Sequence, residues 1–348
     1  MDTDTTTVGT PVATKASSRG LARMVARVGQ IRELGLLAVL AVVVAFVGLQ
    51  EPRFLALNNI GQIIQSIAII AIVAVGETLV ILSRNVDLSV GSIVGLSAFA
   101  SADLLKVHPS LNLWLVFLFG CLLGAVLGSV NGALISYAGI PSIVVTLGTL
   151  NIYRGVDFAI ARGSQVNAYD VPDSFLGIAS GSIFGIPFLI VVAAVIAIIA
   201  SYLLRYSRQG RQIYAIGSSP EAAQIVGIRK ARIVFSAFLL SGLLSGFAGV
   251  LWASRFALVD SRAASGLELL VIAAVVVGGV NINGGTGSIL GAMLGAIILG
   301  TIQSGLEILR FSPFWLQAIY GAAILIAVTL DALITRRVGR LLTARRLR

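Results

Sequence analysis

Hydrophobic residues along the chain fall into ten runs separated by short polar breaks, at approximately 34–50, 62–83, 90–106, 112–138, 142–161, 183–205, 232–254, 266–280, 288–308 and 314–334. Apolar runs of about 18 or more residues have the length that a bilayer core requires, so each run predicts a membrane-spanning helix. Two are irregular. The eighth has only about 15 residues, and the fifth carries Asn151, Arg154 and Asp157. Residues 1–32 are polar, small and basic and read as a disordered lead. The run from Leu34 is long enough to span and reads as a retained helix rather than a cleaved signal. The expected organisation is a polytopic domain over 33–335, with a connecting loop at 207–231 and a basic tail at 336–348.

Composition agrees with that pattern. The 348 residues are 57% hydrophobic and 11% charged, against roughly 25% charged in soluble domains. The formal charge of +10 would suggest nucleic-acid binding in a soluble protein, but here the basic residues sit at the ends of apolar runs, where topology accounts for them. With the N-terminus in the cytoplasm, 18 of the 25 Lys and Arg fall on the cytoplasmic side, and both termini are expected there. Cys121 lies in an apolar run with no second cysteine to pair with. His108 stands beside Pro109 in a connection, and one histidine without cysteine partners predicts no metal site.

The fourth and ninth runs share an internal echo. "GCLLGAVLG" (120–128) and "GSILGAMLG" (287–295) carry glycine at every fourth position around the same LGA-x-LG core. Five crossings separate them, so the copies run in opposite directions, as in an inverted repeat. Helix packing alone also selects glycine at that spacing.

The longest internal polar break contains "SSPEAAQIVGIRK" (218–230). Ser218 or Ser219 suits a helix cap, Pro220 the first helical position, and Glu221 the first turn, where the helix dipole favours an acid. Ala222 and Ala223 are small, and Gly227 suits a left-handed helix end. A two-turn helix outside the membrane is expected, and one so short needs a surface to dock against.

Glutamate, two alanines, three residues and glycine is the pattern carried by permease subunits of ATP-binding-cassette (ABC) importers, where that helix seats on the ATPase. The resemblance extends along nearly the whole chain after residue 33. "GETLVILSRNVDLSVGSIVGLSAF" (76–99), "NGALISYAGIPSIVVTLGTLNIYRG" (131–155), "YAIGSSPEAAQIVGI" (214–228) and "GLELLVIAAVVVGGVNINGGTGSILGAMLGA" (266–296) resemble successive motifs of the ribose-type sugar permeases. The run "TLVILSRNVDLSVGS" is most similar to the branch importing the autoinducer-2 signal and to the neighbouring rhamnose branch. The chain departs from many sugar members at Arg84 and Asn85, where they carry two glycines, and at Glu77, where an uncharged residue is usual.

The resemblance implies an all-α integral membrane protein that does no covalent chemistry and holds no cofactor. It implies as partners a cytoplasmic ATPase with two cassettes, a second permease chain (the same or different), and an extracytoplasmic binding protein delivering a small sugar-like solute. Pro220, Glu221, Ala222, Ala223 and Gly227 would couple to the ATPase. The chain has no GxxxxGK[ST] loop, so ATP hydrolysis falls to a partner.

Ionisable and amide side chains within apolar runs are costly and mark candidate path residues. Glu77, Asn85, Asp87, Ser89, Asn131, Asn151, Arg154 and Glu268 qualify. Each has a plainer reading. Glu77 has Arg84 as a prospective partner, Asp87 to Ser89 are able to cap the third helix or to mark a broken one, Arg154 and Asp157 are spaced to pair at the outer interface, and Glu268 lies near a run end. An ion-coupled secondary transporter is the alternative function and would need no docking helix. An intramembrane enzyme is disfavoured, since no HExxH or GxSxG is present.

Overall fold

The computed structural model describes residues 34–256, 258–312 and 314–329. The expected basic lead and tail lie outside the described residues. Thirteen α-helices occupy most of the described chain: α1 (Leu34–Gln50), α2 (Leu57–Leu82), α3 (Val90–Val107), α4 (Leu113–Ser136), α5 (Ser142–Ala161), α6 (Asp173–Ser180), α7 (Phe188–Tyr206), α8 (Arg208–Ser218), α9 (Pro220–Ile225), α10 (Lys230–Phe256), α11 (Leu267–Val277), α12 (Ile289–Ile308) and α13 (Phe314–Thr329). Ten of them fall on the ten predicted runs. Seven are long and apolar enough to cross a membrane, while α1, α11 and α13 are shorter apolar helices.

Small residues decide which helices meet. Cβ atoms at Gly120, Gly124 and Gly128 of α4 would collide with α10 around Gly242, Gly246 and Val250, so these glycines let the two backbones touch. This is the close approach that small residues at every fourth position allow in a membrane, where packing replaces the hydrophobic effect. In the same way, Gly291 and Gly295 of α12 abut Gly278, just past the end of α11, and Ala274 of α11. At the centre α2 crosses α10 with Gly76 over Ser241. The apolar windows of α2 and α3 are 78% and 72% buried, against 22–28% for α4, α5 and α7, so the former are the inside of the bundle and the latter its outer wall.

The neighbours follow a pattern. If α2, α3 and α4 are matched with α10, α11 and α12, each five crossings later, then α3 lies against α10 as α11 lies against α2. Likewise α4 packs on α10 as α12 packs on α2, and α3 on α4 as α11 on α12. This arrangement is consistent with an inverted repeat, in line with the echo between the fourth and ninth runs.

The two ends of the bundle differ. One carries α8, α9 and the loop 278–288. The other carries α6, a small hairpin of β2 (Ser182–Ile183) with β3 (Ile186–Pro187), and an antiparallel pair of β1 (Val166–Asn167) with β4 (Leu258–Val259). There Lys106 at the end of α3 donates to Asp170 at 3.3 Å. The Asp170 carboxylate also accepts from the backbone N–H of Asn167 at 3.0 Å, and that bond and the nearby lysine hold its pKa below the ordinary range.

Candidate functional site: a broken-helix junction and a short peripheral helix

Residues 83–89 do not form a tight turn between α2 and α3. Glu77 sits five residues before the end of α2, or about 7.5 Å along the axis at 1.5 Å per residue, and the Asp87 N–H donates back to its Oε1 at 3.1 Å. The connection therefore re-enters the bundle before α3 begins. Asp87 Oδ1 then accepts from both the N–H (2.9 Å) and the hydroxyl (2.6 Å) of Ser89. Ser89 Oγ accepts from Asn131 Nδ2 of α4 at 2.7 Å, and the Asn131 Oδ1 is 3.5 Å from the hydroxyl of Tyr153 on α5, which also donates to Leu127 O at 2.9 Å. Glu77, Asp87, Ser89 and Asn131 are all fully buried. Four of the expected path residues thus form one chain of hydrogen bonds linking α2, the break, α3, α4 and α5.

The start of α3 meets the start of α11. A Cβ at Gly91 would strike the carboxylate of Glu268 and approach Ala264 O and Glu268 N at 3.1 Å, so only glycine lets these two helix N-termini abut. Their positive dipole ends explain why each has an acid beside it, Asp87 at α3 and Glu268 at α11. Helix N-termini that meet inside a bundle are the arrangement by which irregular backbone is tolerated at membrane depth.

The remaining expected path residues sit elsewhere. Arg154 Nη1 donates to Ala263 O at 2.7 Å and lies 4.0 Å from Asp157, fastening α5 to the connection before α11. That pair is buried rather than at an exposed interface: the Asp157 side chain is wholly inaccessible. Asn151 is exposed on the outer face of α5 and bonds its own helix at Leu147 O. Asn85 is bound to Ser83 and faces a cavity of about 800 Å³, bounded also by Ser142 and by Gln224 and Gly227 at α9. The anticipated pairing of Glu77 with Arg84 does not form. Arg84 is exposed with a left-handed backbone (φ 64°), and Glu77 turns to Asp87 instead. Tyr153 was missed, because an aromatic residue within an apolar run carries no polar signal in sequence.

At the α8–α9 end the expected short helix is α9, and a second helix, α8, precedes it. Ser207 caps α8, its hydroxyl accepting from Gly210 N at 2.9 Å, and Ser219, not Ser218, caps α9. Pro220 stands at the first helical position. Gly227 closes α9 at φ 78°, with Gly227 N bonded to Gln224 O and Ile228 N to Ala223 O, both at 3.0 Å. Ala223 is buried against the bundle, while Glu221, Ala222, Ile225 (86% exposed) and Val226 (74% exposed) face outward. α8 was not anticipated; its glycines and basic residues disguise an amphipathic helix of 11 residues.

α8 rests on the glycine-rich loop "NINGGTG" (281–287). Tyr214 donates to Gly287 O at 2.8 Å, and Gly217 packs directly on Gly285 and on Leu82 O at the end of α2. Gly285 N in turn donates to Leu82 O at 3.0 Å. Burial raises the pKa of the Tyr214 phenol, so it stays a donor at any physiological pH. A continuous contact therefore runs from α9 through α8 and the glycine loop to the end of α2, one and a half turns from Glu77.

A bundle of apolar helices with a broken-helix centre and a short peripheral helix at one end is an architecture suited to a membrane permease. Residues 59–328 match the family described as "Branched-chain amino acid transport system / permease component", and the chain belongs to that family. It is similar to the ribose import permease protein RbsC of Escherichia coli (34% identical over 85% of this chain and 92% of the relative) and to a probable ABC transporter permease protein of Sinorhizobium fredii (36%, over 88% and 91%). It is also similar to the autoinducer 2 import system permease protein LsrC of Photorhabdus luminescens (32%, over 86% and 89%). No solved structure matches. The chain is thus a non-catalytic, multi-pass permease of the ABC type in a bacterial cytoplasmic membrane. The similar identities to ribose and autoinducer-2 permeases do not separate those branches.

Proposed function

We propose that this permease forms the path of an importer for a small sugar-like solute, and that α9 is the contact through which a cytoplasmic ATPase with two cassettes drives it. The observation that carries the reading is α9 itself. It is a helix of six residues, too short to persist alone, anchored by Ala223 and presenting Ile225 and Val226 to solvent beside Glu221. Apolar side chains exposed on a polar segment mark a surface awaiting a partner. Pro220, Glu221, Ala222, Ala223 and Gly227 shape that surface, and the α8–α9 end faces the cytoplasm, where the six basic residues from Arg205 to Arg232 belong.

Mechanically, closure of the cassettes pushes α9, and α8 transmits the displacement through the glycine loop to the end of α2. The α3–α11 junction is the gate. Glu77, Asp87, Ser89 and Asn131 hold one arrangement of it, and Arg154 and Glu268 hold the half-helix on its other side. Asn85 faces the cytoplasmic cavity beyond the gate. Asn151, outward on α5, addresses a second permease chain, and the α6 end receives an extracytoplasmic binding protein. The ribose and autoinducer-2 relatives support a polyhydroxylated solute. The test is Glu221→Lys in the complete importer: insertion is unchanged and uptake is lost. Normal uptake by that variant would remove α9 from the mechanism. An ion-coupled transporter gives no role to α9 and is not favoured.

A further inference from the structure

A pocket of about 280 Å³ opens on the side of the gate opposite α9, between α2, α10, α11, α12 and α13. Its floor is the start of α11, at Ala264 to Leu267, so it abuts the broken-helix junction from the α6 end. We infer that this pocket is a holding site for one neutral, polyhydroxylated solute molecule within a single permease chain, an inference that rests on the sugar-importer reading.

Three features select that chemistry. First, Trp252 and Phe256 line one wall, their rings 4.4 Å apart between centroids and tilted by 40°, so that aromatic carbon is available to the C–H surface of a sugar ring. Second, α12 and α13 contribute an oriented polar row. The Tyr320 hydroxyl donates to Gln303 Oε1 at 3.2 Å, and Gln303 Nε2 donates to Glu307 Oε1 at 2.9 Å. Gln303, Glu307 and Gln317 all line the space, and hydroxyl groups, each both donor and acceptor, are what such a mixed set of amides and a carboxylate satisfies. The row also fixes which way the Gln303 amide points. Third, no lysine or arginine lines the pocket and one carboxylate does, which excludes an anionic ligand. The volume lies just below the range of roughly 300–1,000 Å³ for drug-sized ligands, so a single monosaccharide is the size class.

The test uses the full chain with its ATPase and binding protein, in lipid vesicles and nanodiscs. Uptake of D-ribose, D-allose, D-galactose and L-rhamnose is measured first. Cys121→Ser with Ser304→Cys then places the sole thiol on the pocket wall, for labelling by a membrane-impermeant maleimide. The sugar that is taken up should slow labelling about tenfold when present at ten times its dissociation constant, by simple occupancy. Gln303→Leu should abolish that protection without changing labelling of the free pocket, and Tyr320→Phe, which removes only the hydroxyl that orients Gln303, should weaken it. If a sugar is taken up but never protects, the pocket assignment fails while the importer reading stands. Uptake of no sugar overturns both. Protection by ethanolamine instead of sugar overturns the ligand class, and slow labelling with no solute present shows a pocket closed or filled by lipid, which also overturns the proposal.

Discussion

Gly217→Ala places one methyl group where α8 touches the glycine loop. The added Cβ would lie against the Leu82 carbonyl oxygen and the Gly285 amide, both backbone atoms that no rotamer change relieves. Either α8 lifts from the loop or the loop moves off α2. Overpacking of this kind costs about 1–3 kcal/mol. Taken wholly as a loss of the docked arrangement, that range shifts its population roughly 5- to 150-fold. Gly217 is buried in the last turn of α8, three residues before α9 and away from its exposed face, so a relay through this contact predicts a particular phenotype: the complex assembles, ATP is hydrolysed, and uptake falls by one to two orders of magnitude. ATPase turnover and solute uptake are measured on the same reconstituted vesicles. Gly227→Ala is the comparison, because a Cβ there meets nothing within 4 Å and only the left-handed backbone (φ 78°) is penalised, by about 1–2 kcal/mol. Wild-type uptake by Gly217→Ala, with the protein folded, would refute the relay.

Other predictions concern the gate and the outer surface. Asp87→Leu strands two buried donors, the N–H and the hydroxyl of Ser89, and should lower stability by about 2–6 kcal/mol at 1–3 per unsatisfied group, whereas Asn131→Leu leaves every remaining donor with an acceptor and should cost only about 1–3. Thermal unfolding in detergent ranks the two, and the reverse order would contradict the hydrogen-bond chain. Gly91→Ala should separate the N-termini of α3 and α11 and abolish uptake while leaving α9 able to bind the ATPase, read by co-purification. At the α6 end, the lowered pKa of Asp170 means that its contribution is complete above the ordinary carboxylate pKa of about 3.9 and is lost only as pH falls through the lower folded value. Protease sensitivity of residues 162–187 should therefore be flat from pH 8 to about pH 5, and Asp170→Asn should raise it across that whole range.

The parts legible in sequence are those with a local cause. Length and apolarity placed ten helices, and Ser219, Pro220 and Gly227 marked the bounds of α9, because caps and turn residues act on their own neighbours. The α3–α11 junction was only half visible. Asp87 and Ser89 suggested either a cap or a break, and nothing local shows that Glu77, ten residues earlier, accepts the Asp87 N–H. Contacts such as Asn131 to Ser89 and Gly91 to Glu268 join residues 42 and 177 positions apart, and glycine's role there is to be absent from space that another helix fills. α8 escaped notice because Gly210 and Gly217 lower its helix propensity, yet both are required by close contact with backbone.

The central claim is that α9 is the surface on which an ATPase acts. A photo-cross-linking amino acid at position 221, in the full importer in native membranes, tests it most directly. The account predicts a cross-link from that position to the ATPase, abundant and altered by nucleotide. Cross-links to lipid alone, or labelling of the position only from the extracytoplasmic side, would contradict it.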